Sequence, residues 1–76
     1  MTETEFGADA EIHPDATLGT ADGRPRLGTN PTIRSHTVVY GDVEAGERLV
    51  TGHAAVIREG SVLGDDVLVG TNTVVD

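Results

Sequence analysis

Seventy-six residues leave room for one domain at most, and a chain this short buries a smaller share of its surface than a typical domain. Thirteen acidic side chains against five basic ones, all arginine, give a formal net charge of −8; this argues against nucleic acid or an anionic membrane as partner and describes a well-solvated acidic surface, of a kind that also suits high salt. With no cysteine, disulfides, Cys-based metal sites and Cys nucleophiles are excluded.

The chain opens with Met-Thr-Glu-Thr-Glu-Phe, which is acidic and lacks the apolar run of a signal peptide. Residues 1–11 read as an acidic tail. No stretch approaches the roughly 20 apolar residues of a membrane helix, so a cytoplasmic location is expected. Ten Gly, ten Thr and ten Val are scattered through the chain without helical periodicity, and such residues are poor helix formers.

Residues 12–26 read as an irregular first coil with a loop. Ile12-His-Pro-Asp-Ala-Thr and Leu18-Gly-Thr-Ala-Asp-Gly form two six-residue blocks, offset by three from the frame that follows. Arg24-Pro25-Arg26 interrupts the pattern, so residues 20–26 are expected to bulge as a loop.

From Leu27 to Asp76 the chain divides into sixes: LGTNPT, IRSHTV, VYGDVE, AGERLV, TGHAAV, IREGSV, LGDDVL and VGTNTV, then Val75-Asp76. The first slot is Leu27, Ile33, Val39, Ala45, Thr51, Ile57, Leu63, Val69 and Val75. The second slot is glycine at Gly28, Gly46, Gly52, Gly64 and Gly70. The fifth is mostly small or β-branched. Six residues suffice for a short strand and a corner, and three strands close one triangular coil. The first-slot aliphatic is expected to point inward and stack on the residue eighteen positions later. Coils would stack at about 4.8 Å with hydrogen bonds between them, each burying its edges only against its neighbours. Glycine is expected to supply the backbone freedom of the corners. The fold class is therefore all-β, a parallel β-helix of about three coils.

Eighteen residues per coil place blocks 33–38 and 51–56 on one face. His36 and His53 then share one corner on adjacent coils, with Thr71 and Asn72 there one coil later. Neutral imidazole is suited to general-base work near pH 7, so His53 is the first catalytic candidate and His36 the second; the plainer reading of each is an exposed corner residue. His13 reads as a surface turn residue. Arg58 and Asn72 are candidate substrate-binding residues. Arg58 has the fork geometry for a phosphate, or it pairs with Glu59, Asp42 or Asp76 on the surface. Asp65-Asp66 reads as a turn pair.

The blocks from Thr51 to Asp76, with Ile12 to Gly19, resemble the hexapeptide-repeat acyltransferase superfamily, and among its members the sugar-nucleotide N-acetyltransferases. The motif is specific for the fold and far less so for the substrate. The resemblance implies a left-handed coil, where the usual rule for crossover connections would give a right-handed one. It implies acetyl-CoA or another acyl-CoA as co-substrate, an amino sugar or sugar nucleotide as acceptor of an N- or O-acetyl group, no metal, and a homotrimer with active sites between subunits. His53, in its Thr-Gly-His run, takes the family's general-base role.

Family members carry more coils than the stretch 27–76 provides, and this stretch ends without a cap. The chain is therefore expected to be a fragment or one piece of a split protein, too short to act alone. Two alternatives remain. One is a non-catalytic β-helix assembly module. The other is a γ-carbonic-anhydrase-like protein, which shares the fold but needs three zinc-binding histidines; Gly52-His53 is present, yet five residues on stands Arg58.

Overall fold

A computed structural model of the chain describes residues 5–6, 9–19 and 23–76. Within them lie twelve two-residue strands and no helix, so none is long and apolar enough to cross a membrane. The first coil holds β1 (Glu5–Phe6), β2 (Glu11–Ile12) and β3 (Thr17–Leu18). The second holds β4 (Arg26–Leu27), β5 (Thr32–Ile33) and β6 (Val38–Val39), and the third β7 (Glu44–Ala45), β8 (Val50–Thr51) and β9 (Val56–Ile57). The fourth holds β10 (Val62–Leu63), β11 (Leu68–Val69) and β12 (Val74–Val75). Every third strand pairs in parallel, giving three faces of four strands: β1-β4-β7-β10, β2-β5-β8-β11 and β3-β6-β9-β12. Three turns of a parallel β-solenoid separate the first strand of each face from the last.

The register carries the hexad arithmetic. From the second coil onward partners lie eighteen residues apart, as in Val38 with Val56 and Val56 with Val74. Between the first and second coils the step is twenty-one, with Ile12 opposite Ile33 and Leu18 opposite Val39. The three extra residues fall between Leu18 and Pro25. Residues 20–22 lie outside the described set, but the regular frame has resumed by Pro25, which is fully buried, and Arg26 already belongs to β4. Two strands also reach into the segment read as an acidic tail: β1, and Glu11 of β2; the remainder of 1–8 lies outside the described residues.

Each strand alternates, as a pleat must. Its second residue is the first slot of a hexad and faces inward: Ile33 is 1% exposed, Val39 and Ile57 0%. The fifth slot is a second inward position, filled by Pro31, Thr37, Val43, Leu49 and Ala55, all buried. Two inward residues per block make a filled prism rather than a tube. Burying a side chain such as Leu49 or Ile57 is worth about 1.5–3 kcal/mol.

The corners differ from the sequence expectation. The second-slot glycines Gly28, Gly46, Gly52, Gly64 and Gly70 do not have positive φ. The left-handed residue is instead the fourth slot, in every block but that of Asp42: Asn30, His36, Arg48, Ala54, Asp66 and Asn72, with φ between 59° and 62°, and Gly60 at 81°. This conformation turns the fourth-slot amide toward the coil before. Arg48 N–H donates to the carbonyl of Thr29, Ala54 to Ser35, Asp66 to Glu47 and Asn72 to His53, at 2.8–2.9 Å. The ladder between coils thus continues around the corner. Where another coil follows, glycine in the second slot answers to space: a Cβ on Gly52 would lie 2.5 Å from the Thr71 nitrogen, and one on Gly28 2.8 Å from the Gly46 carbonyl, whereas Gly64 and Gly70 in the last coil meet nothing nearer than 3.4 Å.

Candidate functional site

An open groove of about 590 Å³ runs over the first three coils on the face of β2, β5 and β8. Its polar lining is Glu11, His13, Thr32, Arg34, Ser35 and His53. The stacking registers bring these together: His13 lies over Arg34 at the twenty-one-residue step, and Ser35 over His53 at the eighteen-residue step.

His53 is exposed, and its ring Nδ1 lies 2.8 Å from Ser35 Oγ. Its backbone is fixed on the following coil: its N–H donates to Thr71 Oγ1 at 3.2 Å, and its carbonyl accepts from Asn72 at 2.9 Å. When Ser35 accepts from Nδ1–H, the lone pair is on Nε2, the atom a general base would use. With the hydroxyl donating, the tautomer and the base capacity at Nε2 are lost.

Beneath this corner lies a buried polar chain. Thr51 occupies a first slot, where an aliphatic residue is the rule, and Thr37 a fifth slot; both are 0% exposed. Arg34 N–H donates to Thr51 Oγ1 at 3.1 Å, the two threonine hydroxyls lie 3.2 Å apart, and Thr37 Oγ1 donates to the Gly52 carbonyl at 2.9 Å. Since each hydroxyl has one proton, the direction is set: Arg34 amide to Thr51, Thr51 to Thr37, Thr37 to Gly52. The chain ties the backbone of Arg34 to that of Gly52, one residue before His53. Among the described residues no buried side-chain polar atom is left unpartnered.

The other candidates lie further off. His36 is at the same corner in the neighbouring column, with left-handed backbone, and its Nε2 is 3.9 Å from Asp15 Oδ2; it does not line the groove. Asn72 holds the His53 carbonyl through its backbone amide. Arg58 is on another corner, where it donates to Glu59 at 3.2 Å and lies 5.1 Å from the Tyr40 ring centroid. The Glu59 hydrogen bond, then its charge, then Tyr40 and more weakly Asp76 raise the Arg58 pKa; Glu59 is held below the usual range by its own backbone amide and by Arg58. Arg58 is thus already engaged on its own corner, and it fills the place five residues after His53 where a γ-carbonic-anhydrase site needs histidine.

The remaining corner is ionic. Asp65 Oδ1 accepts from the Glu47 amide at 2.8 Å, one coil below. Arg48 grips Asp66 through both Nε and a terminal nitrogen, the latter at 3.0 Å, and also meets Glu47. The fork raises Arg48 and lowers Asp66 from their ordinary values.

His13, Arg34 and Ser35 were absent from the sequence-derived site. His13 had been read as a turn residue, and its ring does accept the Asp15 amide at 3.0 Å. What brings it to the groove is the twenty-one-residue step, and the frame offset of three was its signal. Comparison with protein-family models, with curated proteins and with solved structures returned no match.

Proposed function

We propose that the chain is an acyl-CoA-dependent acyltransferase of the hexapeptide-repeat kind, or the part of one that carries the general base, acting on an amino or hydroxyl group of a sugar or sugar nucleotide. The observation that carries the reading is His53, held at Nδ1 by Ser35 beside an open groove on an eighteen-residue parallel coil. In this reading Nε2 takes the proton of the acceptor as its nitrogen or oxygen attacks the thioester carbonyl, and the CoA thiolate leaves. A left-handed coil and a homotrimer belong to the same proposal, with the donor entering between subunits. The test is release of free CoA from acetyl-CoA in the presence of amino sugars and sugar nucleotides. Wherever CoA is released above the protein-free rate, H53A should lose at least about 100-fold, the scale of general-base catalysis. Equal rates in H53A and parent would remove His53 from the mechanism.

A second reading, a non-catalytic assembly module, is favoured by a different feature. The outward residues of β3, β6, β9 and β12 are Thr17, Val38, Val56 and Val74, an uncharged row in an acidic protein. Val74 is 59% exposed. In this reading CoA release never exceeds the protein-free rate, while sedimentation reports a defined oligomer that Val56→Asp dissociates.

A further inference from the structure

The charge map singles out one arginine. Arg26 pairs with Glu44, Arg48 with Glu47 and Asp66, and Arg58 with Glu59 and the Tyr40 ring. Arg34 is exposed, and among the described residues its guanidinium has no carboxylate or aromatic partner, although acidic side chains outnumber basic ones thirteen to five. It is also the arginine that lines the groove, with His13, Ser35 and His53 beside it. Its backbone is set by the buried Thr51–Thr37 chain rather than by any surface pairing.

An exposed guanidinium in an acidic chain gains from any carboxylate within reach, so an arginine without one at a groove is free to take an anion from solution. We propose that the groove is a binding site for a phosphate monoester carried on a polyhydroxylated body, with Arg34 gripping the phosphate. The planar fork matches two phosphate oxygens; His13, whose Nδ1 already accepts the Asp15 amide, donates from Nε2–H, and one member of the Ser35–His53 pair, Ser35 when it accepts from Nδ1–H, donates beside it. Glu11 is the one carboxylate on the lining. It repels the phosphate and accepts from hydroxyls, so it selects a ligand whose anionic end and hydroxyl-bearing end are separate. Thr32 adds a neutral partner, and Ile12 and Ile33 an apolar floor. With a net charge of −8 the protein repels dianions at long range, so this local grip carries the affinity. The site stands independently of whether His53 acts as a base.

The experiment is a nitrogen-15 NMR titration of the whole chain at low salt with glucose 6-phosphate, with inorganic phosphate and glucose as separate arms. Saturable shifts are expected at the amides of Arg34, Ser35 and His53, tightest for the sugar phosphate and weak for glucose. R34Q should weaken binding at least 10-fold and R34K by less. R58Q should leave binding within 2-fold, and E11Q should tighten binding of inorganic phosphate. Each variant's spectrum reports its own folding, and R34K keeps the test open should R34Q not fold. The proposal is overturned by non-saturating shifts, by R34Q within 2-fold of the parent, by an equal loss in R58Q, or by shifts that potassium chloride reproduces at matched ionic strength. Binding of inorganic phosphate as tight as that of the sugar phosphate would retain the anion site and overturn the polyhydroxylated body.

Discussion

Positions 52 and 54, two residues apart on one corner, resist a side chain for opposite reasons. At Gly52 the φ is ordinary but the space is taken by Thr71 of the next coil. At Ala54 there is a side chain but the φ is 59°, a region that costs a non-glycine L-residue about 1–2 kcal/mol. Asn and Asp, which bear that conformation best, already hold the equivalent position at Asn30, Asp66 and Asn72. Ala54→Asn should therefore raise stability by about 0.5–1 kcal/mol, and Gly52→Ala should lower it by about 1–3 kcal/mol, both read from urea unfolding. The same scale governs Asp66. Arg48 holds its carboxylate below the ordinary value of 3.8, so the pair stabilises the fold above that pH and fades as pH falls through the lower folded value. A carbon-13 titration of R48Q should show Asp66 back in the ordinary range, with any stability gap from the parent closing on acidification.

At the scale of the element, a corner is a hydrogen-bonding unit that spans two coils. The fourth-slot amide reaches back to the previous coil, the second-slot glycine lets the coils approach, and the Thr51–Thr37 chain closes the inner side beneath Arg34 and Gly52. Thr51→Val keeps the shape but orphans the Arg34 amide and leaves Thr37 short of a donor. It should cost about 1–2 kcal/mol, the scale of a buried unsatisfied group, with the largest amide shift changes at Arg34 and Gly52. The strands themselves were legible because their inward slot is aliphatic at nearly every sixth residue from Leu27. The corners were less so. Asn30, His36, Asp66 and Asn72 are of types that favour a left-handed position, but Arg48 and Ala54 share it without any such preference, which diverted the conformational argument to the glycines. Thr51 in an aliphatic slot was the visible sign of the buried polar chain.

At the scale of the whole molecule, one number organises everything: the step between coils. Eighteen residues put Ser35 on His53, and twenty-one put His13 on Arg34. The shared corner of His36, His53 and Asn72 follows from the sequence by counting. The groove does not, because it depends on which arginines, across all three corners, are already held by others: Arg58 by Glu59 and Tyr40, Arg48 by Asp66, and Arg34 by none of the described carboxylates. Counting locates columns, and pairing decides which column stays available to a ligand.

The measurement that bears most directly on all of this is a nitrogen-15-edited NOE spectrum of the chain in solution. The account predicts interstrand contacts between residues eighteen apart, Val38 with Val56, Val56 with Val74 and Thr32 with Val50, and twenty-one apart for Ile12 with Ile33. Antiparallel or helical i, i+3 contacts, or a well-dispersed spectrum lacking the eighteen-residue set, would contradict the coil register and with it the groove.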